Sequence, residues 1–154
     1  MKRINFLKVV QVKESAGLYE LGDGIIRRPG DVVEALDTLF PDLRSAAEEN
    51  LVMITLNTKN KIVGAHEISK GSLSASVVHP REIFKHAVLN NAASFIIAHN
   101  HPSGNPTPSP QDIDLTRNLV KACRIMGISL LDHVILGETS HSSLREMGYV
   151  EDED

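Results

Sequence analysis

Phe95-Ile96-Ile97-Ala98-His99-Asn100-His101-Pro102-Ser103-Gly104-Asn105-Pro106-Thr107-Pro108-Ser109-Pro110-Gln111-Asp112 is the segment from which both fold and function are read. It opens on an apolar run bounded by turn residues, the pattern of a buried strand. It closes on Ser109-x-x-Asp112 with Pro110 in the first turn, the pattern of a helix start. Successive side chains of a strand point to opposite faces, so His99 and His101 are expected on the same side. Two imidazoles and a nearby carboxylate, Asp112, make three ligands of a hydrolytic zinc site whose fourth position stays open for water. Pro102, Pro106, Pro108 and Pro110 stiffen the connecting loop, and Gly104 permits a sharp turn or a close backbone approach. Ser109 and Asp112 also have the spacing of a plain helix cap. The two roles coexist, because a capping serine can still face a neighbouring site.

Outward from this segment, strands and helices interleave. Residues 5–13 read as a strand, and Pro29-Gly30-Asp31 opens a helix that runs to about Phe40 before Pro41. Residues 51–56 form a buried strand and 57–60 a turn, with 61–69 returning as the second arm of a hairpin. A further strand is expected over about 72–78. Pro80 starts a helix with Ile83, Phe84, Ala87 and Val88 on its apolar stripe, followed by strand 94–98. The helix after Ser109 turns Leu115, Leu119, Val120, Ala122 and Cys123 inward and ends at Gly127, and 129–136 is the last core strand. The fold class expected is α/β, a mixed sheet flanked by helices, in one domain over 1–150. Glu151–Asp154 reads as a solvated acidic tail.

The chain has 154 residues, 42% of them hydrophobic, enough for one core. A formal net charge of −4, with four Phe, two Tyr and no Trp, offers neither a basic field for nucleic acid nor a base-stacking platform. Arg27-Arg28 and Lys59/Lys61 read as solvated clusters. The one cysteine, Cys123, excludes an intrachain disulfide and thiolate zinc clusters. Lys8, Gln11 and Lys13 interrupt the N-terminal apolar stretch before it resembles a signal peptide, and no run approaches a transmembrane length. A reducing, cytoplasmic setting without membrane contact is expected.

A hydrolase of this type needs a base, and no His-Glu-x-x-His helix supplies one. Glu48, Glu49, Glu67 and Glu82 are the candidate carboxylates, and spacing alone does not rank them. His133, beside Asp132 in the last strand, is expected to support a ligand rather than be one. His79 is expected to orient the loop before a helix, and His66, His86 and His141 to be solvated.

His99-x-His101-Pro102, six residues, then Ser109-x-x-Asp112 resembles the JAMM signature of JAB/MPN metallohydrolases, and the spelling His-Asn-His-Pro-Ser-Gly resembles their RadC-like branch. The likeness extends through Leu56–Asn60, Gly71-Ser72-Leu73, Val78–Glu82, Asn91-Ala92-Ala93 and Leu131-Asp132-His133, over about residues 45–150. The resemblance implies a cytidine deaminase-like fold and Zn2+ held by His99, His101 and Asp112. It further implies Glu49 as the water-activating carboxylate and Ser109 as the group that stabilises the oxyanion, in a peptidase or isopeptidase acting on a peptide or protein. Asn100 stands where the deubiquitinating branch has Ser or Thr, so that branch's substrate is not carried over. Leu21-Gly22-Asp23-Gly24 does not match the helix–hairpin–helix region that often precedes this domain. Two other classes use the same ligands: a metal-dependent nuclease in DNA repair, for which no second carboxylate-rich cluster is evident, and a non-catalytic zinc-binding module, which would need neither Glu49 nor Ser109.

Overall fold

The computed structural model describes residues 1–71 and 78–151. Among the described residues, three helices and five strands follow in the order α1 (Pro29–Leu39), β1 (Asn50–Leu56), β2 (Ile62–Lys70), α2 (Pro80–Leu89), β3 (Ser94–Asn100), α3 (Pro110–Met126), β4 (Ser129–Leu136) and β5 (His141–Ser143). The expected α/β class with a mixed sheet is what forms. Strand order is β2-β1-β3-β4-β5. The β3/β4 pair is parallel and is joined across the sheet face by α3, whereas β1/β2, β1/β3 and β4/β5 are antiparallel.

Each face of the sheet has its own core. Leu51, Met53, Phe95 and Ile97 point towards α2 and α3, where Ile83, Phe84, Leu119 and Cys123 pack on them. Val52, Ile54, Leu56, Ile96 and Ala98 point the other way, onto Val32, Ala35 and Leu36 of α1. Central β3 is therefore buried along its whole length, while edge strand β2 alternates between half-buried and exposed positions. Continuing the alternation, His99 belongs to the α2/α3 face and Asn100 to the α1 face.

Helix starts and stops follow local chemistry. Pro29 and Pro110 occupy first-turn positions, and Gly127 ends α3 at φ 65°, its N–H donating to the Cys123 carbonyl. His79 caps α2, its Nδ1 accepting from Arg81 N–H at 3.2 Å, as expected of a residue orienting that loop.

Two expectations are corrected. Residues 5–13 form no strand, and Phe6, Leu7, Val9, Val10 and Val12 are exposed. In an extended run Phe6, Val10 and Val12 would share a face with Lys8, while Leu7 and Val9 would lie opposite with Gln11 and Lys13. Neither face is apolar throughout, so no register against a sheet is preferred. His66 and His86 are half-buried rather than solvated: His66 Nε2 lies 3.0 Å from Thr55 Oγ1, and the two rings meet edge-on at 5.3 Å between centroids. His141 is exposed as expected. The strand expected at 72–78 falls, all but Val78, outside the described residues, and Val78 is in no element. The short strand β5 is an element with no clear signal in the sequence. It is held to β4 by Ser143 Oγ, which donates to buried Asp132 at 2.7 Å.

Candidate metal centre

The centre forms where β3 ends, beside the start of β1. His99 is the penultimate residue of β3 and lies opposite Leu51 of β1. His101 follows the strand, its backbone N–H held by the Leu136 carbonyl at 3.0 Å. Asp112 comes from the first turn of α3, fixed by a reciprocal capping box: Ser109 N–H donates to Asp112 Oδ2 at 2.7 Å and Asp112 N–H donates to Ser109 Oγ at 3.2 Å. Glu49 sits one residue before β1. One ligand atom from each of Glu49, His99, His101 and Asp112 lies within 4.8 Å of all the others, a grouping that could hold a metal ion.

Asp112 stands nearest the histidines, with Oδ1 at 3.1 Å from His99 Nε2 and Oδ2 at 3.1 Å from His101 Nε2. Glu49 Oε1 is farther out, at 3.5 Å from His99 Nε2 and 3.8 Å from His101 Nε2. The two Nε2 atoms are 3.1 Å apart. The other candidate carboxylates are elsewhere: Glu48 is exposed, Glu67 pairs with Lys70 at 3.5 Å, and Glu82 pairs with Lys85 at 2.7 Å.

Hydrogen bonding on the far side of each ring determines which nitrogen faces the centre. Buried Thr116, one helical turn beyond Asp112, donates its only hydroxyl hydrogen to the Asp112 carbonyl at 2.8 Å. Its oxygen, 2.7 Å from His133 Nδ1, must therefore accept from that ring. His133 Nε2 is then a bare lone pair, and it accepts from His99 Nδ1 at 2.9 Å. A neutral His99 is then left with an unprotonated Nε2 directed into the centre. His101 reaches the same state by a shorter route, its Nδ1 donating to the Asn105 carbonyl at 2.9 Å. Two imidazole lone pairs and two carboxylates thus converge on one point, which only positive charge can occupy favourably. The donor set of two imidazoles and a carboxylate fits a zinc-type cation, and the supporting hydrogen bonds are those that orient metal-bound histidines.

The electrostatics of Asp112 describe the alternative in which His99 carries a proton on Nε2. Burial pushes the carboxyl up, yet hydrogen bonding and charge attraction from that protonated ring, with two bonds to Ser109, outweigh it and hold the carboxyl well below the usual range. A proton or a metal cation can thus fill the same place. Burial, reinforced by His99, depresses the pKa of His133 well below that of an ordinary imidazole and so favours its neutral form.

The loop after His101 is braced from below. Gly104 takes φ 81°, its N–H donates to the His101 carbonyl, and its own carbonyl accepts from Glu138 N–H at 3.2 Å. A Cβ at Gly137 would lie 2.5 Å from the Gly104 carbonyl oxygen, so this loop and the turn after β4 are in backbone contact.

A family model, the RadC-like JAB domain, matches residues 26–149. The chain belongs to the RadC-like JAB domain family. It is 50% identical over 150 residues to the UPF0758 protein of Geobacillus sp. (strain WCH70), covering 97% of this chain and 65% of that protein. It is 44% identical over 152 residues to a UPF0758 protein of Clostridium perfringens (strain ATCC 13124), covering 95% and 66%. A UPF0758 protein of Moorella thermoacetica is 42% identical over 151 residues, covering 94% and 65%. The chain therefore spans somewhat less than two-thirds of the length of these curated relatives. The match extends upstream of residue 45 and takes in α1, whose Val32, Ala35 and Leu36 pack on one sheet face.

The structure brings together Glu49, His99, His101 and Asp112, with Ser109 beside them as the α3 cap, and sets His133 behind His99 as expected. Sequence reasoning missed Thr116 and Asn105. The four-residue spacing from Asp112 to Thr116 puts both on one helix face and was the available signal. For Asn105, which acts through its backbone carbonyl, there was none. Among the described residues no helix is long and apolar enough to cross a membrane.

Proposed function

We propose that this chain is a zinc-dependent hydrolase of amide bonds, a peptidase or isopeptidase of the JAMM type. The observation that supports the reading is the convergence of two imidazole lone pairs and the Asp112 carboxylate on one point, with a second carboxylate, Glu49, standing farther out. His99, His101 and Asp112 are the residues that would hold the ion. When bound, zinc would supply Lewis acidity that polarises a carbonyl and makes water more acidic.

The remaining chemistry belongs to the chain. Glu49, partly exposed at the rim, takes a proton from the attacking water and delivers it to the leaving nitrogen. Ser109 Oγ already accepts from Asp112 N–H, which leaves its own hydroxyl hydrogen to donate to the oxyanion as the carbonyl carbon becomes tetrahedral. Helix cap and oxyanion donor are thus compatible roles of one hydroxyl. Water is excluded from beneath the site by Leu51, Ile97 and Leu119, all fully buried.

Elemental mass spectrometry on the untagged chain, beside Asp112→Ala, tests the reading. About one zinc per chain, lost in the variant, supports it and licenses a screen of peptide, isopeptide and DNA substrates with Glu49→Gln as the inactive reference. No metal after zinc reconstitution, or DNA cleavage without amide cleavage, would overturn it.

A further inference from the structure

Glu49 is carried by residues 46–49, which belong to no helix or strand, so its position has to be imposed from outside. The group that imposes it lies between the two histidines of the motif. Asn100 is fully buried and turns to the α1 face of the sheet, away from the imidazoles. Its Oδ1 accepts from Asn50 N–H at 2.8 Å. Its Nδ2 donates to the Ala46 carbonyl at 3.2 Å and to the Glu48 carbonyl at 3.0 Å. These backbone groups straddle Glu49, so one side chain clamps the segment on both sides of it.

We propose that Asn100 is a positioning residue that fixes the Glu49 carboxylate relative to His99 and His101. That Glu49 then works as a base rests on the function proposed above; the positioning itself does not. A carboxamide has one acceptor and two donor hydrogens in a fixed plane, the set this segment requires. A serine hydroxyl has one donor hydrogen and cannot serve two carbonyls, and an aspartate would oppose both of them with acceptors. The residue between the histidines therefore couples the strand that carries two ligands to the loop that carries the carboxylate.

The test compares the full chain with Asn100→Ala, Asn100→Ser, Glu49→Gln and the Glu49→Gln/Asn100→Ala double variant. In chelator-treated protein, loss of the clamp should speed amide exchange at Asn50 about tenfold, the effect of one hydrogen bond. The ring-nitrogen NMR signals of His99 and His101 should move in the direction seen for Glu49→Gln, with no further movement in the double variant. In cobalt-loaded protein, Asn100→Ala should keep one ion per chain and change the absorption spectrum as Glu49→Gln does. Asn100→Ser should show the same changes at smaller amplitude, and it serves if the alanine variant fails to fold. Unmoved ring signals despite a loosened Asn50 amide, or shifts that add in the double variant, would overturn the proposal. Failure of every variant to load metal, with the ring signals still coupled, would sink the hydrolase reading and leave the positioning role standing.

Discussion

Replacing Thr116 by Val keeps the side-chain shape and removes one hydroxyl, so it isolates the hydrogen-bond relay behind His99. In the protein this hydroxyl is fully buried and accepts from His133 Nδ1 at 2.7 Å while donating to the Asp112 carbonyl. Without it, His133 Nδ1–H has no acceptor in the relay. Leaving a buried donor unsatisfied costs roughly 1–3 kcal/mol. The imidazole can escape by moving its proton to Nε2, but that proton would face His99 Nδ1 at 2.9 Å and drive the His99 proton onto Nε2, where a ligand lone pair is needed. Either outcome weakens metal binding, and supporting partners of this kind are worth about 10–100-fold in affinity. Competition against a chromophoric chelator measures that loss, and urea unfolding of the apoprotein measures the stability cost separately. Thr116→Ser retains the hydroxyl and should bind metal within a few-fold of the parent chain. A valine variant that is destabilised but binds metal like the parent, or a serine variant that loses as much affinity as the valine, would refute the relay.

Gly137→Ala places a Cβ 2.5 Å from the Gly104 carbonyl oxygen and 2.9 Å from Pro106 Cδ. The loop bearing Asn105 must then shift, so metal affinity should fall about tenfold with the circular dichroism of the fold retained. Saturation with zinc at 100 times its dissociation constant should stabilise the parent chain by about 2.7 kcal/mol and Asp112→Ala not at all, read from denaturant midpoints. The pKa of His66 is lowered from 6.5 by burial first and by neighbouring His86 second. Between its folded pKa and the unfolded value near 6.5, the unfolded chain binds more protons. This part of the stability is therefore complete above that unfolded value and is lost as pH falls through the folded one. Urea midpoints of the apoprotein from pH 7.5 down to about pH 5 should accordingly decline less steeply for His66→Gln than for the parent, and identical slopes would contradict the assignment.

Much of the frame was legible in the sequence because it rests on local chemistry. Short apolar runs located β1 and β3, Ser109-Pro110 and Gly127 bounded α3, and the alternation along β3 put His99 and His101 on the same side. The three candidate ligands followed from spacing over a short, proline-stiffened segment. Choosing Glu49 over Glu48, Glu67 and Glu82 was beyond spacing alone, since all four are ordinary carboxylates outside the motif. Antiparallel pairing of β1 with β3 made the choice by laying Leu51 opposite His99, which brings the residues just before β1 to the centre. The apolar run at 5–13 had strand composition but no face that is apolar throughout, and half-buried His66 is explained only by the packing of α2 against β2. The relay from Thr116 through His133 to His99 likewise joins a helix to two parallel strands. Sequence by itself determined which residues could carry the chemistry, because side-chain type and helix or strand period are local properties. Only the tertiary structure decided which nitrogen of each ring faces the centre and which carboxylate joins it, because those depend on contacts between residues far apart in the chain.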